Sequence, residues 1–401
     1  MEIYDVVVVG GGPIGSRVAY LTAKKGLKTL LVEEHKTFGK PLHCAGKIYA
    51  KAFEEFNLPK EAIINEVKGA YFYSPDGYMF KVSRSEVDSY IVDREVLDLK
   101  LAERAYDAGA ILKLNTKCYN FEKKNQDYVV KLKQEGLKFE VKTRVLVDAE
   151  GWNSLIARRI GLHKGLGYLK GIQYEMVNVD FNHENFVELY FGNKFFPGFF
   201  GWIIPLEDRK ARVGLCVNKD LTSKPPTYYL KKTLKFNPKI SKKIGKGKII
   251  RVFGGIIPIH GPLKKIVWDK IVLVGDSAGQ VKSTTGGGLY FGLNAAGLAG
   301  KIISKFLETG EPKILEFYGK MFWEKFGKEL KFTSLLRRIL DKFSDDELNY
   351  IFKVIGENRK FLAKVEEECS SQTQFKVFRL MIKNPKLLLK LVKFTPKFFL
   401  W

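Results

Sequence analysis

Residues 3–34 read IYDVVVVGGGPIGSRVAYLTAKKGLKTLLVEE, and the order of residue types in that stretch decides the fold. An apolar run at 6–9 has the length of a buried strand. It breaks into glycines, a helix-period segment follows to Lys25, and a second apolar run at 29–32 ends on acid. This is one βαβ unit. Gly10, Gly12 and Gly15 fit GxGxxG: the first permits a tight turn, the second lets a pyrophosphate approach the backbone, and the third lets helix pack on strand. The helix N-terminus offers that pyrophosphate free N–H groups and a positive dipole. Glu33, at the end of the second strand, can accept hydrogen bonds from a ribose. The stretch predicts a dinucleotide site, the plainer alternative being a glycine-rich turn with a solvated glutamate.

Working outward, 401 residues with 45% apolar content suit two or three domains around a large core. No window has the ~18 uninterrupted apolar residues of a membrane span. The strand at the very start leaves no room for a leader, so the expected compartment is the cytoplasm, or the inner membrane face as a peripheral protein. Cys44, Cys118, Cys216 and Cys369 lie far apart without CxxC or histidine-rich spacing, so neither a metal site nor a disulfide framework is expected. The formal charge of +24 favours an anionic partner. No nucleic-acid-binding motif accompanies that charge, and nucleic acid is not expected.

Beyond the first unit, residues 70–82 alternate apolar and polar around Pro75-Asp76-Gly77 and read as a hairpin. Residues 92–108 return to helical period, with Gly109 as a stop. Two or three short strands follow between Cys118 and Val141, then a strand at 144–147 running into Asp148-Ala149-Glu150-Gly151. Strands recur at 186–191, 211–217 and 249–253, interrupted by one lysine-rich helical piece around 228–244. A buried strand at 270–274 then meets GDSAGQVKSTTGGGLYFGLNAAGLAGKII, where glycines open a helix of small residues. The expected fold class is α/β: a Rossmann-like domain (1–68, 87–164 and 262–310), an inserted antiparallel β-sheet domain for substrate (69–86 and 165–261), and a C-terminal helical region (311–401).

Three glycine-acid sites far apart in sequence, GxGxxG at 10–15, DAEG at 148–151 and GD at 275–276, together resemble the flavoprotein hydroxylase superfamily. The resemblance covers nearly residues 1–305 and implies FAD. It assigns Asp276 to the ribitol chain, the helix start at Gly286, Gly287 and Gly288 to the flavin's pyrimidine edge, and Arg94 to the cofactor's neighbourhood. Glu150 replaces the superfamily's usual Asp, and the carboxylate survives. A helix N-terminus suits an anionic reduced flavin.

Two further stretches resemble the geranylgeranyl reductase family of flavoproteins. PLHCAGKI (41–48) is similar to that family's P-x-x-C-x-G, with Ala45 where Gly or Ser is usual. PGFFGWIIP (197–205) is similar to PGxYxWxFP, with Phe200 for Tyr and Ile204 for Phe, so one hydroxyl is absent. The implied cofactor-binding set is Gly10, Gly12, Pro13, Gly15, Glu33, Glu34, Cys44, Ala45, Gly46, Arg94, Asp148, Gly151, Gly275, Asp276, Gly286, Gly287 and Gly288. The expected substrate wall is Phe196, Phe199, Phe200, Trp202 and Pro205, an aromatic density that suits a long apolar ligand or, read plainly, a hydrophobic core. Cys44 is either a small buried hydrophobe or a catalytic thiol beside the flavin ring, with His43 and Lys47 as its basic neighbours.

The resemblance implies an FAD-dependent reductase that saturates the double bonds of geranylgeranyl chains in archaeal-type lipid precursors. Its alternatives are a flavin monooxygenase or halogenase, since FGWIIP nearly matches WxWxIP, and a non-catalytic lipid-binding flavoprotein. The expected reductant is NADPH or an acidic ferredoxin. Finally, Lys376, Arg379, Lys383, Lys386, Lys390, Lys393 and Lys397 recur at helical spacing opposite Val377, Leu380, Met381, Leu387, Leu388, Leu391 and Phe394. That pattern fits a helix covering the core or one lying on anionic lipid; Asn384-Pro385 should restart it.

Overall fold

The computed structural model describes residues 1–163 and 166–391. The opening unit forms as read, with strand Glu2–Val9, helix Pro13–Ala23 and strand Thr29–Val32. These strands sit at the centre of a sheet whose order is Val267–Trp268, Ile271–Leu273, Leu137–Asp148, Glu2–Val9, Thr29–Val32 and Ile111–Lys113. Along this path pairing is parallel except at the edge strand Val267–Trp268, and off it Asp127–Gln134 pairs antiparallel with Leu137–Asp148 and with Thr116–Lys124. Thr29–Val32 is buried on both faces, as an uninterrupted TLLV run requires in a parallel sheet. Helix Leu289–Thr309 crosses the first helix closely because Gly292 and Gly300 are small; a Cβ on them would stand 2.7 Å from Ile14 and Leu21 side chains respectively. Its small-residue sequence thus fixes the position of its N-terminus.

A second sheet runs in the order Lys248–Phe253, Tyr168–Val177, Ala211–Asn218, Gly201–Pro205, Phe186–Tyr190, Gly69–Tyr73 and Met79–Ser83. The Pro75-Gly77 hairpin joins it through Gly69–Tyr73, which pairs parallel with Phe186–Tyr190, so the sheet is not wholly antiparallel. One face packs under helices Pro226–Phe236 and Pro238–Ile244. The lysine-rich stretch is two helices rather than one because the Asn237 side chain accepts from the N–H groups of Lys239 and Ile240 and Pro238 begins a new turn. A small sheet of Lys47–Tyr49, Ser89–Val92 and Ile63–Val67, not expected from the sequence, bridges the two large ones.

Among the described residues the C-terminal region forms five helices, Lys313–Leu340, Asp345–Glu357, Arg359–Glu368, Gln374–Ile382 and Pro385–Leu391. Asn384 caps the last of them, its Oδ1 accepting from Leu387 N at 3.1 Å. Val377, Leu380, Met381, Leu387 and Leu391 turn inward onto Phe361 and Leu362, so this apolar face covers a core. Leu388, expected on that face, is 41% exposed. Lys393, Phe394 and Lys397 lie outside the described residues. Among the described residues no helix is long and apolar enough to cross a membrane.

Candidate active site

A cavity of about 1180 Å³ reaches from the glycine turn at residues 10–15 to the C-terminal helices, above the ~300–1,000 Å³ of an ordinary small-ligand site. Its nucleotide end is shaped by backbone. Gly10 has φ +106°, and a Cβ on Gly15 would stand 2.0 Å from the Gly10 carbonyl oxygen, so neither position admits a side chain. Gly12 caps the helix, and a Cβ there would meet no protein atom within 4 Å; that space belongs to the cavity. Glu33 accepts from Gly11 N at 2.7 Å and His35 N at 3.0 Å. The His35 ring Nδ1 also lies 2.5 Å from Oε1, so of the carboxylate's about four lone-pair sites one is left for a ribose hydroxyl. Glu34 instead pairs with Lys117 at 2.6 Å near the rim.

Toward the middle, Asp148 is fully buried behind the wall, accepting from Ser154 Oγ at 2.6 Å. Glu150 accepts from Ile156 N at 3.0 Å in the first turn of helix Leu155–Arg159, which Ser154 caps. Burial raises the pKa of both carboxyls, and the Glu150 charge raises Asp148 further. Glu150 and Gly151 line the cavity, whereas Asp148 does not. The Asp276 carboxylate faces the cavity and, among the described residues, takes no side-chain hydrogen bond. Burial pushes it up to about 6, opposed by Arg94. An acceptor so placed suits the hydroxyls of a ribityl chain. Gly286, Gly287 and Gly288, opening helix Leu289–Thr309, line the same space; the Gly286 N–H is taken by the Lys282 carbonyl at 2.8 Å, and those of Gly287 and Gly288 have no backbone acceptor among the described residues.

Cys44 and Ala45 line this middle section; Gly46 packs behind them and donates its N–H to Cys44 Sγ at 3.3 Å. Arg94 stands beside Cys44, a basic neighbour that lies fifty positions away in sequence. Its guanidinium forks onto Asp98 at 2.9 and 2.8 Å, which fixes its direction. Arg212 was not expected in the site at all. It is 4% exposed and reaches from the second sheet to donate from Nη1 to the carbonyls of Ala45 at 2.9 Å and Val92 at 3.1 Å, with Nε on Glu175 at 3.3 Å. The Cys44 loop is thereby clamped to strand Ser89–Val92.

The far end is apolar and aromatic. Trp202, Phe200, Phe191, Phe352, Phe80 and Phe72 form a connected series of ring contacts with centroids 5.0–6.1 Å apart along it. Phe199 stacks on Phe200 at 4.1 Å. Trp202 Nε1 donates to Gln173 at 3.3 Å, which fixes the indole without exposing a polar edge. Two expected wall residues are placed elsewhere. Phe196 packs on the opposite face of the sheet, against Gly201, and Pro205 does not line the cavity. Strand parity accounts for Pro205: in Gly201–Pro205, Trp202 and Ile204 face the cavity, and alternate residues point away.

A family model described as lycopene cyclase protein matches residues 5–354. Digeranylgeranylglycerophospholipid reductase from Methanocaldococcus jannaschii is 34% identical over 377 residues, 91% of this chain and 95% of that protein. The structure of a geranylgeranyl bacteriochlorophyll reductase-like protein from Thermoplasma acidophilum superposes with a TM-score of 0.87 at 25% identity, over 98% of this chain and 100% of that one. A halogenase variant in complex with FAD shares the fold alone, with a TM-score of 0.69 at 16% identity over 94% of this chain and 85% of that one. The class of fold is therefore the one shared by that halogenase and by a p-nitrophenol 4-monooxygenase from Pseudomonas putida. Within that class, the chain belongs to the geranylgeranyl reductase family.

Proposed function

We propose that this protein binds FAD and saturates the isoprenoid double bonds of a digeranylgeranylglycerophospholipid-type lipid precursor. The observation that carries this reading is the continuous aromatic wall from Trp202 to Phe80, which meets the Cys44 loop and the glycine cradle in one cavity. Reduced FAD, when bound, supplies hydride. An isolated alkene has no carbonyl for the protein to polarise, so the chain's own contribution is exclusion of water and alignment. Phe200 and Trp202 form the dry wall, Asp276 and residues 286–288 hold the cofactor, and Cys44, set by Arg212 and Arg94, delivers the proton to the second alkene carbon.

Anaerobic incubation of the dithionite-reduced protein with a geranylgeranyl lipid should raise the lipid mass in steps of two hydrogens. Unchanged mass with flavin fully reduced refutes the reading. In the same assay Cys44→Ala should retain FAD and turn over on the order of 10²-fold more slowly; an undiminished rate removes Cys44 as proton source.

The substrate class suggests where the protein works. Arg379, Lys383, Lys386 and Lys390 are exposed on the last two described helices, beside Ile382 at 46%, Leu388 at 41% and Leu389 at 72% exposure. Apolar side chains set among cations suit the surface of an anionic bilayer. Flotation with anionic vesicles should capture the protein at low salt, and Lys383→Glu/Lys386→Glu/Lys390→Glu should release it; equal capture by zwitterionic vesicles argues against this surface.

A further inference from the structure

Beside the glycine cradle lies a buried charge that no step above uses. Lys282 is 2% exposed and lines the cavity, and a Cβ on Gly287 would stand 3.6 Å from its Nζ. Nζ donates to the carbonyl oxygen of Ser371. An ammonium has three N–H bonds; Nζ also lies 5.9 Å from the centre of the Phe291 ring, a weak partner, and among the described residues no second oxygen accepts from it.

The neighbouring carboxylates are committed elsewhere. Asp88 accepts from Ser371 N at 3.0 Å through one oxygen, and from Ser89 Oγ at 2.7 Å and Lys47 Nζ at 3.4 Å through the other. Glu329, from helix Lys313–Leu340, accepts from Gln374 N at 2.7 Å and Phe375 N at 3.1 Å. Thr284 donates to the Gln374 side chain. Residues 370–375 are thus pinned across the cradle from several sides, and no carboxylate pairs directly with Lys282 among the described residues. Burial and the nearby Lys47 bring its pKa down to about 7, against the pull of Glu329 and Asp88. A buried cation without a counter-ion is costly, which is the arrangement expected of a site that receives an anion.

We propose that Lys282 is the cation that holds the negative charge of reduced flavin at its pyrimidine edge, over the cradle at residues 286–288. This rests on the FAD reading above. The test is the two-electron midpoint potential of the bound flavin in Lys282→Met and Lys282→Arg, with flavin content measured first. Removing the charge should weaken binding of reduced relative to oxidised flavin at least tenfold, a fall of about 30 mV. The arginine variant should stay near the wild-type potential. If Lys282→Met loses its flavin, Lys282→Gln, uncharged but of similar reach, is read the same way. A wild-type potential in the uncharged variant overturns the proposal, whereas wild-type protein without flavin overturns the FAD reading instead.

Discussion

Gly12→Ala should purify folded and colourless. The backbone at Gly12 has φ −65°, which alanine adopts freely, and the added methyl meets no protein atom within 4 Å. The fold should therefore lose at most about 1 kcal/mol, the usual cost of alanine at a helix N-cap. The methyl instead enters the space where the pyrophosphate must come against the helix N-terminus. Flavin affinity is expected to fall by 10²-fold or more, on the order of 3 kcal/mol. Gly15→Ala should behave differently, because its Cβ would stand 2.0 Å from the Gly10 carbonyl oxygen and 3.0 Å from the Ala149 side chain. Helix and strand must separate, and both thermal midpoint and flavin should be lost. Absorbance at flavin wavelengths with a parallel thermal melt distinguishes the two. Full flavin occupancy in Gly12→Ala would sink the assignment of that turn to the pyrophosphate.

The contrast shows what a sequence can carry. Gly12 and Gly15 act first on the turn and helix of one βαβ unit, so their spacing is itself the geometry, whereas Gly10 also makes room for the Ala149 carbonyl, whose oxygen would stand 2.3 Å from a Cβ there. Pro75-Gly77 likewise announces a hairpin, and Gly69–Tyr73 and Met79–Ser83 pair around it. What the hairpin joins is another matter, since its partner Phe186–Tyr190 is more than a hundred residues away. The small sheet through Ser89–Val92 was illegible for the same reason: strands of three to five residues have too few positions to show a period. The aromatic cluster at 195–202 was visible as composition, yet only pairing assigns each ring a face. Phe200 and Trp202 turn to the cavity, while Phe196 is pressed under Gly201. Strand alternation offered a signal for Pro205. Lys282 gave only one, its place in the loop before the three glycines, and nothing marked it as buried. Arg212 gave none, because an arginine on a central strand becomes informative only when the carbonyls it reaches are known.

Arg212→Met should for that reason be the most damaging single change outside the glycine turn. The side chain is buried, and its loss removes the donors that hold the Ala45 and Val92 carbonyls and leaves Glu175, whose side chain is 15% exposed, without its partner. Breaking one side of a buried ion pair typically costs about 3–5 kcal/mol, mostly because the remaining charge stays desolvated. Part of that loss is separable from the site: Arg212→Met/Glu175→Met removes the stranded carboxylate and should regain much of the stability. The Cys44 loop remains unclamped in both variants. A displacement of about 1 Å at a reacting group can cost on the order of 10²-fold in rate, so turnover should stay low in the double variant although its melt recovers. Arg212→Lys keeps a charge for Glu175 but has no fork with which to span two carbonyls and a carboxylate, and it should fall between. A double variant that is both stable and as fast as wild type would show that Arg212 serves the fold alone, and that the loop carrying Cys44 finds its place beside Arg94 without help from the second sheet.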